Sequence, residues 1–137
     1  MIHDQANAVK DVLVPWTPIP GLTSPMYIEA VYDDYEGRRI LLRGEDPTSA
    51  MLRVAFDNCL SYRNTDESYL LKLWHSNEKE VAGKIFYTIE NSSYIDFFHE
   101  MTLELYRNWE IKHYAIYTIS DCVDILSIEP PTVEWLD

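Results

Sequence analysis

The chain is short of glycine, cysteine and positive charge. Only four of its 137 residues are glycine, Gly21, Gly37, Gly44 and Gly83. None is spaced as GxGxxG or as a P-loop, so the backbone cradle of a nucleotide-binding enzyme is missing. The two cysteines, Cys59 and Cys122, are far apart and neither belongs to a CxxC pair; they read as buried free thiols of a reducing cytoplasm. Lys and Arg number 11 against 23 Asp and Glu, a formal net charge of -12. Every contact with a nucleic-acid phosphate or an anionic bilayer would begin with repulsion, which excludes both as expected partners. No stretch approaches the roughly 18 apolar residues of a membrane span. The segment Met1 to Ala6 has no cationic region leading into an apolar run, so no targeting signal is expected and the reading is cytoplasmic.

Catalytic and metal signatures are equally sparse. Neither HxxxH nor HExxH occurs among His3, His75, His99 and His113, and no GxSxG or recognisable Ser/His/Asp order is visible. The least implausible polar cluster is His99 and Glu100 with His113, and it carries the alternative reading of a small-molecule-binding or hydrolytic domain. Cys122 lies near Asp121 and Asp124, whose charges repel a thiolate and raise a thiol pKa, so it does not read as a nucleophile. No cofactor and no metal are expected.

What is present is apolar and aromatic. Hydrophobic residues make up 47% and aromatics 13%, enough for a core, and a chain of this length buries roughly two-thirds of its unfolded surface. Residues 1–137 read as a single domain. Residues 1–25, with Pro15, Pro18, Pro20 and Pro25, read as an irregular lead-in. Ile28, Ala30 and Tyr32 alternate with Glu29, Val31 and Asp33, and the turn-rich 33–37 then leads into Arg39 to Arg43, which predicts a β-hairpin. Leu52, Val54 and Phe56 mark a third strand, which Leu60 and Tyr62 prolong past a bend.

Asn64 and Glu67 have capping-box spacing, predicting a short helix over about 65–75, although Tyr69, Leu71 and Leu73 also alternate as in a strand. Ile85, Tyr87 and Ile89 form a strand introduced by Gly83. Tyr94, Phe97, Phe98, Met101 and Leu105 recur at three- and four-residue steps, predicting one long amphipathic helix over about 92–107. Ile111 to Ile119 and Cys122 to Ile128 read as a C-terminal β-hairpin, ended by Pro130 and Pro131, with 132–137 as a tail. Strands with one helix inserted favour an α+β fold with a mainly antiparallel sheet.

The negative charge is unevenly spread. Residues 121–137 hold Asp121, Asp124, Glu129, Glu134 and Asp137 without a Lys or Arg, and the first hairpin holds Asp33, Asp34 and Glu36. Tyr32, Tyr35 and Trp135 lie among them. Aromatic anchors rimmed by one sign of charge suit a protein interface with a cationic partner. The expected partner-binding set is therefore Tyr32, Asp33, Asp34, Tyr35, Glu36, Asp121, Asp124, Glu129, Glu134 and Trp135.

One resemblance bears on the partner. Val54-Ala55-Phe56-Asp57, Tyr62-Arg63 with Asp66-Glu67, Ile89 to Phe98, His113 to Thr118 and Val123 to Leu126 follow one another between Leu52 and Pro130. In that order they resemble small acidic bacterial immunity proteins of polymorphic and contact-dependent growth-inhibition toxin systems. The resemblance implies a non-catalytic cytoplasmic inhibitor that binds a cognate cationic protein toxin, often a nuclease.

Overall fold

The computed structural model describes residues 9–77 and 84–136. Among these residues, nine strands form two antiparallel sheets. The larger has the order β1 (Val12–Pro15), β6 (Phe86–Glu90), β7 (Lys112–Tyr117), β8 (Asp121–Ser127), β5 (Cys59–Asp66). The smaller runs β2 (Met26–Asp34), β3 (Gly37–Gly44), β4 (Met51–Phe56), β9 (Thr132–Leu136). A 3-10 turn at Glu67–Tyr69 precedes the short helix α1 (Leu71–Ser76), and α2 (Ser93–Met101) connects β6 to β7. The fold is thus α+β with mainly antiparallel sheet. Among the described residues no helix is long and apolar enough to cross a membrane.

The sheets pack face to face. Met26, Ile40, Leu42, Leu52, Val54 and Phe56 from the smaller sheet meet Phe86, Tyr114, Ile116, Val123 and Ile125 from the larger in one core. On the opposite face of the larger sheet a second core joins Leu13, Tyr87, Ile89, Ala115, Tyr117 and Cys122 to Leu70, Leu73 and Trp74 around α1. β7 and β8 are central and covered on both faces, so almost every residue along them is buried. The smaller sheet has one open face and its β4 alternates strictly between buried and half-buried positions.

Local chemistry sets the turns. The two-residue loop Tyr35–Glu36 closes the first hairpin: the Asp34 side chain accepts from the Glu36 amide (3.0 Å), and Gly37 takes a φ of +99° that side chains rarely adopt. A bulge between Ile28 and Ala30 shifts the predicted alternation by one position, so Ile28 and Val31 both reach the core.

Several sequence expectations are corrected. The lead-in contains a strand: β1 pairs with β6. Its backbone is also held by buried Asn77, whose Oδ1 accepts from the Leu13 amide (3.0 Å) while Nδ2 donates to the Asp11 carbonyl (3.0 Å). The tail is β9, paired with β4 from Met51↔Leu136 to Ala55↔Thr132; Asp137 lies outside the described residues, as do His3 and Gly83. Asn64 is in β5 and caps nothing; the cap is Asp66, which accepts from the Ser68 amide (2.9 Å).

The predicted helix over 92–107 stops at Met101. Ser92 starts it, accepting from the Ile95 amide (3.0 Å). Thr102 Oγ1 then donates back to the Phe98 carbonyl (2.8 Å), and Leu103 and Glu104 turn left-handed with φ of 53° and 63°. Two adjacent non-glycine residues there cost about 1–2 kcal/mol each, and they send the chain away from the helix axis.

Burial pushes Cys122 up to about 12, with Asp124 as the next cause, and burial pushes Tyr87 up to about 12. An acid whose folded pKa is raised stabilises the fold fully below its unfolded pKa and loses that contribution as pH climbs toward the folded value. The urea midpoint is therefore expected to hold up to about pH 9 and to fall between there and pH 12. A midpoint unchanged at about pH 11 would contradict it.

Candidate functional site

The shortened helix leaves its apolar residues in solvent. Only Tyr94 and His99 of α2 are buried. Phe97 and Met101, one helical turn apart, are exposed, and the left-handed turn presents Leu103 and Leu105 at 83% and 73% exposure. Trp109 is exposed as well and stacks on Tyr106 with ring centroids 4.2 Å apart, while Tyr106 leans on Phe98 at 6.3 Å. Five large apolar side chains, an exposed ridge in sequence order, thus lie between residues 97 and 109. Exposed apolar groups concentrated in one segment are the kind of surface that contact sites use, and strained backbone persists where the surroundings or function require it.

Carboxylates rim this ridge. Asp96 pairs with Lys10 at 2.6 Å and Glu104 with Arg107. Glu100 and Glu110 are exposed and make no ion pair among the described residues. Lys112 pairs in register with Ser127, so β7, which follows the ridge in the chain, begins at the end of the larger sheet where Ile128 and Glu129 leave it. The first hairpin reaches the same end: Arg38 donates to the Cys59 carbonyl (3.4 Å), and Cys59 is also in register with Ser127.

The residues expected to bind a partner are only partly brought together. Tyr35 is 97% exposed at the hairpin tip beside Glu36. Asp33 and Asp34 are exposed but paired with Arg38 (3.5 Å) and Arg39 (2.8 Å), and Arg39 also lies over the Tyr32 ring at 4.9 Å. The Arg39 hydrogen bond is the main cause holding the Asp34 carboxyl below its usual value. Glu129 shares that end of the molecule, whereas Asp121 begins β8 at the opposite end. Glu134 pairs with Arg53 across β9 and β4. Trp135 packs against the core and donates from Nε1 to the Pro20 carbonyl (2.9 Å).

Asp124 is a correction: its exposure is 0%. Its Oδ1 accepts from His113 Nε2 (2.6 Å) and the Tyr117 hydroxyl (2.5 Å), and Oδ2 from Arg63 Nε (3.3 Å). His113 Nδ1 is 2.7 Å from Ser92 Oγ. Burial first, then the Asp124 charge, pushes the Tyr117 hydroxyl far up. Serine, histidine and aspartate converge here in a chain of hydrogen bonds, but Ser92 is itself buried and its oxygen serves as the α2 cap. The cluster reads as a satisfied buried network.

Of the expected cluster of His99, Glu100 and His113, His113 has both ring nitrogens engaged with Ser92 and Asp124, while Glu100 is exposed. The His99 ring is buried and Phe98 packs edge-on against it at 6.0 Å. No group of three His, Cys, Asp or Glu able to hold a metal occurs among the described residues.

No protein-family model, no curated protein and no solved structure matches the chain.

Proposed function

We propose that the protein is a non-catalytic acidic binding protein, an immunity protein that neutralises a cationic protein toxin, such as a nuclease, in the cytoplasm. The observation that carries this reading is the exposed apolar side chains of Phe97, Met101, Leu103, Leu105 and Trp109, set among the carboxylates Glu100 and Glu110, which make no ion pair among the described residues. A toxin acting on phosphates presents a basic groove. Apolar anchors supply the area buried against it, and the net charge of -12 raises the encounter rate. The resemblance of residues 52–130 to immunity proteins supports the same partner class. Tyr35 and Glu36 at the hairpin tip extend the surface at one end.

Co-expression with the candidate toxin encoded immediately upstream should protect cells, and the double variant Leu103→Asp, Leu105→Asp should lose protection with its thermal midpoint unchanged. Buried apolar hot spots are worth about 2 kcal/mol or more each, so affinity should fall at least ~100-fold. Growth arrest despite co-expression of the parent protein would overturn the reading.

Neutralising Glu100 and Glu110 to Gln should slow association more than neutralising Asp33 and Asp34, which already face arginines. The parent rate should drop steeply as salt rises. Stopped-flow association at two ionic strengths reads both, and a rate indifferent to salt would count against steering.

A further inference from the structure

A cleft of about 270 Å³ opens on the outer face of the larger sheet, between α1 and the start of α2. Its lining is richer in cationic side chains than the rest of the protein, although Lys10 is paired with Asp96 and Arg63 with Asp124. Lys10, Arg63 and Lys72 lie around it with one carboxylate, Asp11, in a chain where acids outnumber bases 23 to 11. Leu70, Leu73 and Ile89 give it an apolar wall.

The hydrogen bonds already made in the cleft decide what it could take. Asp11 is turned onto the start of α2: Oδ1 accepts from the Ser93 amide (2.8 Å) and Oδ2 from the Ser93 hydroxyl (2.6 Å). His113 and Tyr117, which form part of the floor, are both committed to the Asp124 network. Lys10 is held by Asn91 (3.1 Å) and Asp96 (2.6 Å). Arg63 uses Nε on Asp124, its terminal nitrogens make no hydrogen bond among the described residues, and its guanidinium is pinned 4.2 Å above the Tyr94 ring. Lys72, Ser76 and Tyr69 line the cleft and make no side-chain hydrogen bond or ion pair among the described residues. Each Asp11 oxygen already accepts one bond from Ser93, and Arg63 and Lys72 are the charged donors with capacity left among the described residues. A preorganised guanidinium beside a free ammonium and an apolar wall is the chemistry that takes up an anionic head group with a hydrophobic body.

We propose that this cleft binds a small organic anion, a carboxylate or phosphate carried on a compact apolar body, with its head group on Arg63 and Lys72 and its body against Leu70, Leu73 and Ile89. The site borders the apolar ridge at the Lys10–Asp96 pair, but none of the ridge residues Phe97, Met101, Leu103, Leu105 and Trp109 lines it.

Titrations of the isotopically labelled protein with benzoate, phenyl phosphate and benzyl alcohol, followed by amide shifts at Leu73, Ser93 and His113, test the proposal. At least one of the two anions should give saturable shifts below about 20 mM, and their relative affinities distinguish carboxylate from phosphate recognition. Benzyl alcohol, which has a similar body without the charge, should bind more weakly. Lys72→Met, on an exposed helix position, should weaken the preferred anion about threefold to fivefold, while Lys112→Met, outside the cleft, should leave it unchanged. Absence of saturation by both anions, binding of benzyl alcohol as tight as that of the better anion, or an affinity unaffected by Lys72→Met would each overturn the proposal. Loss of toxin neutralisation in the ridge variants would leave these titrations unaltered.

Discussion

Asp124→Ala is expected to destabilise the fold by about 3–5 kcal/mol, the cost of stranding the partners of a buried charge. The carboxylate has 0% exposure and gathers His113, Tyr117 and Arg63, from β7 and β5, onto β8. Its removal leaves the His113 and Tyr117 donors facing an apolar gap, and desolvated donors without acceptors cost about 1–3 kcal/mol apiece. The urea midpoint should fall at unchanged slope, and the thermal midpoint by roughly 10–20 °C. Asp121→Asn, three residues earlier in the same strand and only half-buried, should shift stability by no more than about 0.5 kcal/mol. If Asp124 were a partner contact, its loss would weaken binding and spare the fold; an alanine variant as stable as the parent would therefore refute the buried network.

The second large effect is at Tyr114, where alanine is expected to cost about 3–5 kcal/mol. The ring lies on the inner face of β7, 5.5 Å from Phe56 and 5.9 Å from Trp16, so it ties the two sheets and the segment after β1 together. Phenylalanine separates ring from hydroxyl. No buried orphan oxygen occurs at Tyr114, so Tyr114→Phe should be nearly neutral. Tyr117→Phe, three positions on along the same strand and facing the other way, removes a 2.5 Å bond to Asp124 and should cost about 1–3 kcal/mol. Equal penalties for the two phenylalanine variants would mean that the faces of β7 are wrongly assigned.

Much of the sheet structure was legible because its signal is local. Leu52, Val54 and Phe56 alternate in the sequence and point into the core in the structure, and the hairpin of β7 and β8 follows from the same period. β9 was not legible: Thr132–Leu136 is short, follows two prolines, and becomes a strand only because β4 offers an open edge. The helix was overextended because Leu105 sits at a helical step from Met101, and residue spacing does not register a left-handed turn at Leu103 and Glu104. That same error concealed the ridge, since residues assigned to a buried stripe are exposed. Asp124 looked like a surface charge because its partners come from positions 63, 113 and 117, and only the register of three strands brings them together.

The pairing of β9 with β4 also governs the order in which the protein can assemble during synthesis. Met51 meets Leu136, so β4 stays an open edge while the following eighty or so residues emerge at about 5–20 residues per second. The β2–β3–β4 meander can form early from contacts close in sequence, but its last hydrogen-bonded partner arrives several seconds later. Through that interval the nascent chain carries an unprotected strand, liable to pair with a neighbouring chain on the same message. Arg53, the middle residue of that edge, has its Glu134 partner on β9, and a charge on an open edge strand is the kind of residue that opposes edge-to-edge pairing.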